Sequence, residues 1–114
     1  MGSMLTTSSH VRVVALGDSL TVGFQSYGVL GNTQISTPYT DVLVDHVRRD
    51  FPSSLSVEIL NKGVTGELSE QMLARFDSDV IRLSPKIVII LGGSNDLGWG
   101  LAPKEVFANL HDMY

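Results

Sequence analysis

Ser19 is the residue whose surroundings in this sequence favour nucleophilic chemistry. It follows Gly17 and Asp18 directly after a short apolar run, residues 11–16, that is rich in β-branched side chains. Such a run predicts a buried strand that turns sharply into a helix. At that turn a serine hydroxyl would lie above the carboxyl edge of a sheet, beside backbone N–H groups without internal partners. The alternative is that Asp18 and Ser19 are an ordinary turn and a helix N-cap.

Three repeats of strand, loop and helix would position this serine. Apolar runs predict strands at residues 11–16, 55–60 and 86–91, and helical spacing predicts helices over residues 37–50, 68–83 and 103–114, the first capped by Thr37 with Pro38 at its first position. This alternation is typical of a parallel α/β sheet with right-handed crossovers. The strands' carboxyl ends then share one edge, so the loops at residues 17–19, 61–67 and 92–96 should converge there.

Residues 24–37 are expected to form a long loop beside Ser19, of the kind that binds ligands or covers a site. Its aromatic residues Phe24 and Tyr27, together with Tyr39, would either line a substrate pocket or hold the loop down by packing. A second glycine-rich loop is predicted to continue from residue 92 to residue 100. Trp99 in that loop would be an apolar wall near the site or a packing residue.

Composition limits the classes of function. The chain has 114 residues, a net charge of −4 and 43% hydrophobic residues, which is typical of a globular protein. No basic stripe is present, so nucleic acid is not an expected partner. No cysteine is present, and no apolar run approaches the roughly 20 residues of a transmembrane helix. Neither metal-ligand spacing nor a cofactor-binding glycine motif is found, so no cofactor is expected.

The beginning of the chain says little about localisation. Met1, Gly2 and Ser3 precede a second methionine and look like a cloning remnant, and residues 1–10 are expected to be a disordered lead. No apolar signal segment follows, which favours a cytoplasmic protein, but a native leader could have been removed with the cloning. Residues 11–114 are expected to be the amino-terminal portion of a single domain.

Taken in order, the runs GDSLTVG, NKGVTGE and LGGSND resemble blocks one, two and three of the SGNH hydrolases, also called GDSL esterases and lipases. Each run alone is a weak signal, but three in the correct order after three predicted strands are a specific one. The resemblance covers nearly the whole chain. It implies a three-layer, flavodoxin-like parallel sheet, here with its first three strands, and hydrolysis of acyl or acetyl esters.

The resemblance also implies roles for three residues. Ser19 matches the nucleophile, and its own backbone N–H matches one oxyanion donor. Gly66 matches the glycine whose backbone N–H is the second donor, and Asn95 matches the asparagine whose side-chain amide is the third. Such donors stabilise the charge that develops on the carbonyl oxygen. Singly, a turn glycine and an Asx-turn residue would explain Gly66 and Asn95; Asp18 and Asp96 are expected to hold turns.

The family's Asp-x-x-His block, which supplies the general base, does not occur in this sequence. His10, His46 and His111 are predicted to lie too far from Ser19, and the neighbouring Asp45 and Asp112 complete no triad. We therefore expect the base to come from outside the chain, which alone would be inactive. The partner would be the carboxyl-terminal remainder of the protein or a second copy, pairing with an open edge at residues 86–91.

Two other classes of function are alternatives to ester hydrolysis. The same fold without a histidine would be a non-catalytic module that binds an ester or a glycan. A nucleotide-binding domain is disfavoured, because neither G-x-G-x-x-G nor G-x-x-x-x-G-K-[ST] follows any predicted strand. The sequence does not select among lipids, thioesters, acetylated sugars and aryl esters as substrates.

Overall fold

The computed structural model describes residues 9–26 and 34–114. The strands are β1 (Ser9–Gly17), β2 (Phe24–Ser26), β3 (Gln34–Ser36), β4 (Leu55–Gly63) and β5 (Ile87–Leu91). The helices are α1 (Ser19–Val22), α2 (Tyr39–Asp50), α3 (Ser69–Ala74), α4 (Phe76–Asp79), α5 (Ser94–Gly98) and α6 (Pro103–Met113), and a 3₁₀ turn is formed by Ile81–Leu83. No helix of these two ranges has both the length and the apolar character needed to cross a membrane.

The central sheet is parallel, with the strand order β4-β1-β5. Its register places Gly17 at the end of β1 opposite Gly63 of β4 and Leu91 of β5. The three strands therefore end level with one another. The loops that follow them must start from the same edge of the sheet, as the sequence predicted.

Layers of helices lie on both faces of the sheet. On one face Val14 and Leu16 of β1 are fully buried in a cluster with Met72, Val80 and Met113, which belong to the segment from α3 to α6. The opposite face meets α2 across an apolar groove lined by Val11, Val13, Leu43, Val47, Phe51, Leu55, Val57, Ile59, Ile87 and Ile89. The predicted three-layer α/β architecture with three parallel strands is confirmed.

The strand β4 is longer than predicted. Residues 61–63 were expected in a loop, but they continue the pairing with β1 up to Gly17. The Asn61 side chain explains why a polar residue is tolerated there. Its amide donates to the Thr21 carbonyl at 2.7 Å and to the Thr40 hydroxyl at 3.0 Å, which ties β4 to α1 and α2.

The prediction of one long loop over residues 24–37 is wrong at its two ends. β2 and β3 pair as antiparallel strands, with Phe24 opposite Ser36. Tyr27 and the rest of residues 27–33 lie outside the described ranges. Thr37 is not the helix N-cap, because its N–H donates to the Gly23 carbonyl at 2.8 Å and so continues this pairing. Pro38 is the N-cap instead, without a side-chain hydrogen bond.

The predicted helix over residues 68–83 is wrong as a single element, since it is divided into α3, α4 and the 3₁₀ turn. The first break is at Arg75, whose ψ of 6° is not helical and whose side chain turns toward the sheet. The last turn ends at Ser84, which has a left-handed φ of 51°. The prediction of a glycine-rich loop over residues 92–100 is also wrong in part, because Ser94–Gly98 form α5.

Candidate active site

Ser19 stands at the junction of β1 and α1, as the sequence predicted. The buried Asp18 is the N-cap of α1, and its Oδ1 accepts a hydrogen bond from the Leu20 N–H at 2.9 Å. The helix closes after one turn, where Gly23 adopts a φ of 85° and its N–H donates to the Ser19 carbonyl. Ser19 is the first helical residue, partly exposed to solvent. The N-cap role thus falls to Asp18, and Ser19 is not needed for it.

Close packing explains why a glycine precedes Asp18. A Cβ atom on Gly17 would lie 2.0 Å from Thr21 Oγ1 and 2.7 Å from the Leu91 carbonyl oxygen. Only a residue without a side chain lets β1, β5 and α1 approach this closely. The turn that carries Ser19 is therefore held between α1 on one side and the end of β5 on the other.

Gly66 lies in the loop after β4. The Glu67 N–H donates to the Val64 carbonyl at 3.3 Å, which closes a four-residue turn with Gly66 in third position. Its φ of 78° is left-handed, as a type II turn requires at that position. A Cβ atom built on Gly66 would contact nothing within 4 Å. The backbone at Gly66 is therefore open to the approach of another molecule.

Asn95 joins the three loops. Its amide nitrogen donates to the Glu67 carbonyl at 3.1 Å and lies 3.4 Å from Asp18 Oδ2. The Ser94 hydroxyl also lies 3.4 Å from that carboxylate oxygen. Asn95 thus contacts the residue that precedes Ser19 and the residue that follows Gly66. The predicted convergence of the loops after β1, β4 and β5 is confirmed by these contacts.

A buried carboxylate holds the loop after β4 from its other end. Asp96 is 2% exposed and accepts hydrogen bonds from the Ser69 N–H at 2.9 Å and the Ser69 hydroxyl at 2.7 Å. Asn109 of α6 donates to the same hydroxyl at 3.1 Å. Asp96 was expected to hold its own turn, but the hydrogen bonds of its side chain go to Ser69 and cap the first turn of α3 from a distant loop. No local pattern of the sequence links the two segments, so this contact is visible only in the structure.

Arg75 is a second supporting residue that the sequence did not predict. Its guanidinium donates to the Gly17 carbonyl at 3.1 Å, the Lys62 carbonyl at 2.8 Å and the Glu67 carboxylate at 2.7 Å. A further bond reaches Asp79 at 3.0 Å. The available signal in the sequence was a basic residue, Arg75, in the middle of a helix that was expected to pack on the sheet. The arginine connects the ends of β1 and β4 with the loop that carries Gly66.

The three histidines have other neighbours. His10, near the start of β1, lies 3.3 Å from the Ser56 hydroxyl; His46 contacts Arg49; and the ring of His111 lies 5.9 Å from the ring of Phe107. No hydrogen bond from a histidine to Ser19 occurs among the described residues. The same ranges contain no cluster of three His, Cys, Asp or Glu side chains able to hold a metal ion.

The aromatic residues proposed to line a pocket are only partly described. The side chain of Phe24, like Tyr27, lies outside the described part. Tyr39 is half-buried, and burial raises the pKa of its phenol above the ordinary value of 10.0. The nearby Thr21 hydroxyl partly opposes this rise, but it does not reach the geometry of a hydrogen bond with the phenol oxygen. Trp99 is 80% exposed, so it is not a packing residue within the described chain.

The fold and the three converging loops are those of a flavodoxin-like α/β protein. The model of the GDSL-like Lipase/Acylhydrolase family matches residues 15–114, and the chain belongs to that family. It is similar to an acetylxylan esterase of Geobacillus stearothermophilus, with 31% identity over 78% of this chain and 41% of the relative. An arylesterase of Vibrio mimicus is 29% identical over 90% of this chain and 46% of the relative.

Solved structures of similar proteins share the fold of this chain. The crystal structure of an acetylxylan esterase from Geobacillus stearothermophilus superimposes with a TM-score of 0.74 at 26% identity, over 95% of this chain and 54% of that one. A structure described as a putative lipolytic protein of the G-D-S-L family from Desulfitobacterium hafniense gives 0.69 at 28% identity, over 90% and 50%. The chain spans about half the length of the relatives that it matches.

Proposed function

We propose that this chain carries the nucleophile and the oxyanion donors of a serine hydrolase that cleaves carboxylic esters, with Ser19 forming the acyl-enzyme. The observation that carries the proposal is the position of the Asn95 amide, which lies between the loop of Gly66 and the residue before Ser19. Membership of a family with esterase relatives supports the same reaction. The named activities of those relatives favour acetylated sugars and aryl esters as substrates.

In the proposed reaction, the Ser19 hydroxyl oxygen bonds to the carbonyl carbon while its proton passes to a base. The carbonyl π electrons move to oxygen, and the resulting oxyanion is stabilised by the N–H groups of Ser19 and Gly66 and by the Asn95 amide. Collapse of this intermediate breaks the bond to the leaving alkoxide, which takes the proton. Water then attacks the acyl-enzyme by the same route and releases the acid and free Ser19.

The amide nitrogen of Asn95 has two contacts of different strength. One hydrogen is held by the Glu67 carbonyl at 3.1 Å, whereas the contact with Asp18 at 3.4 Å is longer than a normal hydrogen bond. The hydrogen near Asp18 is therefore the less committed of the two, and it is the one available to an oxyanion. The Glu67 bond meanwhile fixes the plane of the amide.

The base in this proposal is a histidine outside the chain, since the neighbours of its own histidines do not include Ser19 in the described ranges. The carboxyl-terminal remainder of the protein, or a second copy, would bring it and pair with the outer edge of β5, which no strand of the described ranges covers and where Ile87 is 51% and Leu91 44% exposed. If no histidine is ever supplied, the chain is instead a module that binds an ester or a glycan. Ester hydrolysis separates these two functions.

The test uses the chain expressed alone and together with the remainder of its protein. Ser19→Ala should abolish hydrolysis of p-nitrophenyl acetate and labelling by a fluorophosphonate, while Ser53→Ala, at an exposed serine, is the control. Asn95→Ala should lower kcat by about 100- to 1000-fold. Unchanged hydrolysis in Ser19→Ala would refute the nucleophile. Full activity of the chain alone would refute the external base.

A further inference from the structure

Arg75 and Glu67 form the most enclosed ion pair among the described residues. The two side chains are 17% and 6% exposed, and the Arg75 Nε donates to Glu67 Oε1 at 2.7 Å. The other nitrogens of the guanidinium are held by the Gly17 and Lys62 carbonyls and by Asp79. The guanidinium that binds Glu67 is thus also bound to the ends of the two strands β1 and β4.

Glu67 is held at both its side chain and its backbone. Its carboxylate is bound by Arg75, its carbonyl accepts the Asn95 amide at 3.1 Å, and its N–H closes the turn that contains Gly66. A displacement of Glu67 would therefore move the Gly66 turn and release the amide of Asn95. These are the two oxyanion donors that Ser19 itself does not supply.

We propose that Arg75, acting through Glu67, is a positioning residue that holds the Gly66 and Asn95 donors in place for the transition state. This inference rests on the proposed function and adds a residue of α3's C-terminal end to it. Arg75 does not touch the substrate. It links the loop that contains Gly66 and Glu67 to the rigid ends of β1 and β4, so that the Gly66 and Asn95 donors need not move during the reaction.

Positioning and mere stabilisation predict different kinetics. A misplaced donor weakens binding of the transition state more than binding of the substrate. Displacement by about 1 Å can cost on the order of 100-fold in rate. Loss of folded protein instead lowers the concentration of active sites and leaves the affinity of the remaining ones unchanged. The inhibition constant of a boronic acid, which forms a tetrahedral adduct with serine, separates the two.

The experiment compares Arg75→Met with Arg82→Met in whichever preparation shows hydrolysis that depends on Ser19. Arg82 is the matched control, because its bond with Asp77 joins side chains that are 74% and 63% exposed. Active sites are counted with a fluorophosphonate. For Arg75→Met we expect kcat per site for p-nitrophenyl acetate to fall about 10- to 100-fold with little change in KM, and phenylboronic acid to bind correspondingly more weakly.

Two variants of Glu67 keep the inference testable if Arg75→Met does not fold. Glu67→Ala removes the acceptor and should reproduce the loss, whereas Glu67→Gln keeps an oxygen for the Arg75 Nε and should recover most of it. Equal kcat and inhibition constants for Arg75→Met and Arg82→Met, or equal losses in the two Glu67 variants, would overturn the positioning role. If no preparation shows hydrolysis that Ser19→Ala abolishes, the proposed function fails and this inference fails with it.

Discussion

Replacing Asp96 by alanine should destabilise the protein far more than replacing a surface aspartate. The Asp96 carboxylate accepts two donors of Ser69, the N–H at 2.9 Å and the hydroxyl at 2.7 Å, and Ser69 is completely buried. Hydrogen bonds to a charged group contribute about 1.5–3 kcal/mol each. Asn109 donates to the same hydroxyl and so cannot accept the hydrogen that Asp96 releases, and we expect a loss of about 3 kcal/mol or more in the free energy of unfolding.

Asp77→Ala is the control for this measurement. Asp77 bonds to Arg82 at 2.9 Å, but both side chains are largely exposed. Such a pair contributes about 0–1 kcal/mol. Urea denaturation followed by circular dichroism gives both values, provided that the slope with urea stays the same. Asp96→Asn, which keeps one acceptor oxygen, should fall between wild type and Asp96→Ala.

A double-mutant cycle locates the effect. If the stabilisation comes from the bonds with Ser69, then Ser69→Ala should cost much less in the Asp96→Ala background than in the wild type, with a coupling of about 1–3 kcal/mol. Additive losses would show that the bond with the Ser69 hydroxyl does not carry the stabilisation, since Ser69→Ala leaves the bond from the backbone N–H of this position to Asp96 in place. A loss in Asp96→Ala no larger than that in Asp77→Ala would refute the reasoning from burial.

Two further substitutions test the packing around the candidate site. Tyr39→Phe should cost less than about 1 kcal/mol, because the phenol oxygen is buried without a hydrogen-bond partner in the described part of the chain. Burial raises the pKa of Tyr39 above its ordinary value of 10.0, so its contribution to the free energy of unfolding is fully present below that pH and is lost as the pH rises through the folded-state pKa. Urea melts at pH 8 and 10.5 should show that Tyr39→Phe loses this alkaline dependence. The same dependence of the free energy of unfolding on pH in the variant and the wild type would contradict the assignment. Gly17→Ala should destabilise by about 3 kcal/mol or more, because the added methyl group would collide with Thr21 and the Leu91 carbonyl. Gly98→Ala, where nothing lies within 4 Å of the new atom, should be neutral or slightly stabilising, and equal thermal melts for the two alanine variants would contradict the packing argument.

The elements that the sequence predicted correctly are those with local signals. Apolar runs mark the three strands, and Pro103 with the apolar residues after it marks α6. The meeting of the loops after β1, β4 and β5 follows from parallel topology alone. The oxyanion roles of Gly66 and Asn95 came from the resemblance of ordered motifs, and they stay predictions until the variants are assayed.

The elements that were predicted wrongly depend on contacts between distant residues. The helix expected over residues 68–83 breaks at Arg75, whose side chain reaches the Gly17 carbonyl, 58 positions away in sequence. The helix α5 contains Asp96, whose partner Ser69 is 27 positions away. β2 and β3 are three residues each, too short for a pattern to distinguish from a loop.

The sequence by itself determined the α/β class, the three parallel strands, and the edge of the sheet at which the loops of Ser19, Gly66 and Asn95 meet, because hydrophobic period and turn residues act between near neighbours. Only the tertiary structure decided what holds that edge together. The bonds of Arg75 and Asp96 join loops that are remote along the chain, and a buried charge selects its partners by proximity in space. No local pattern of residue types records such a choice.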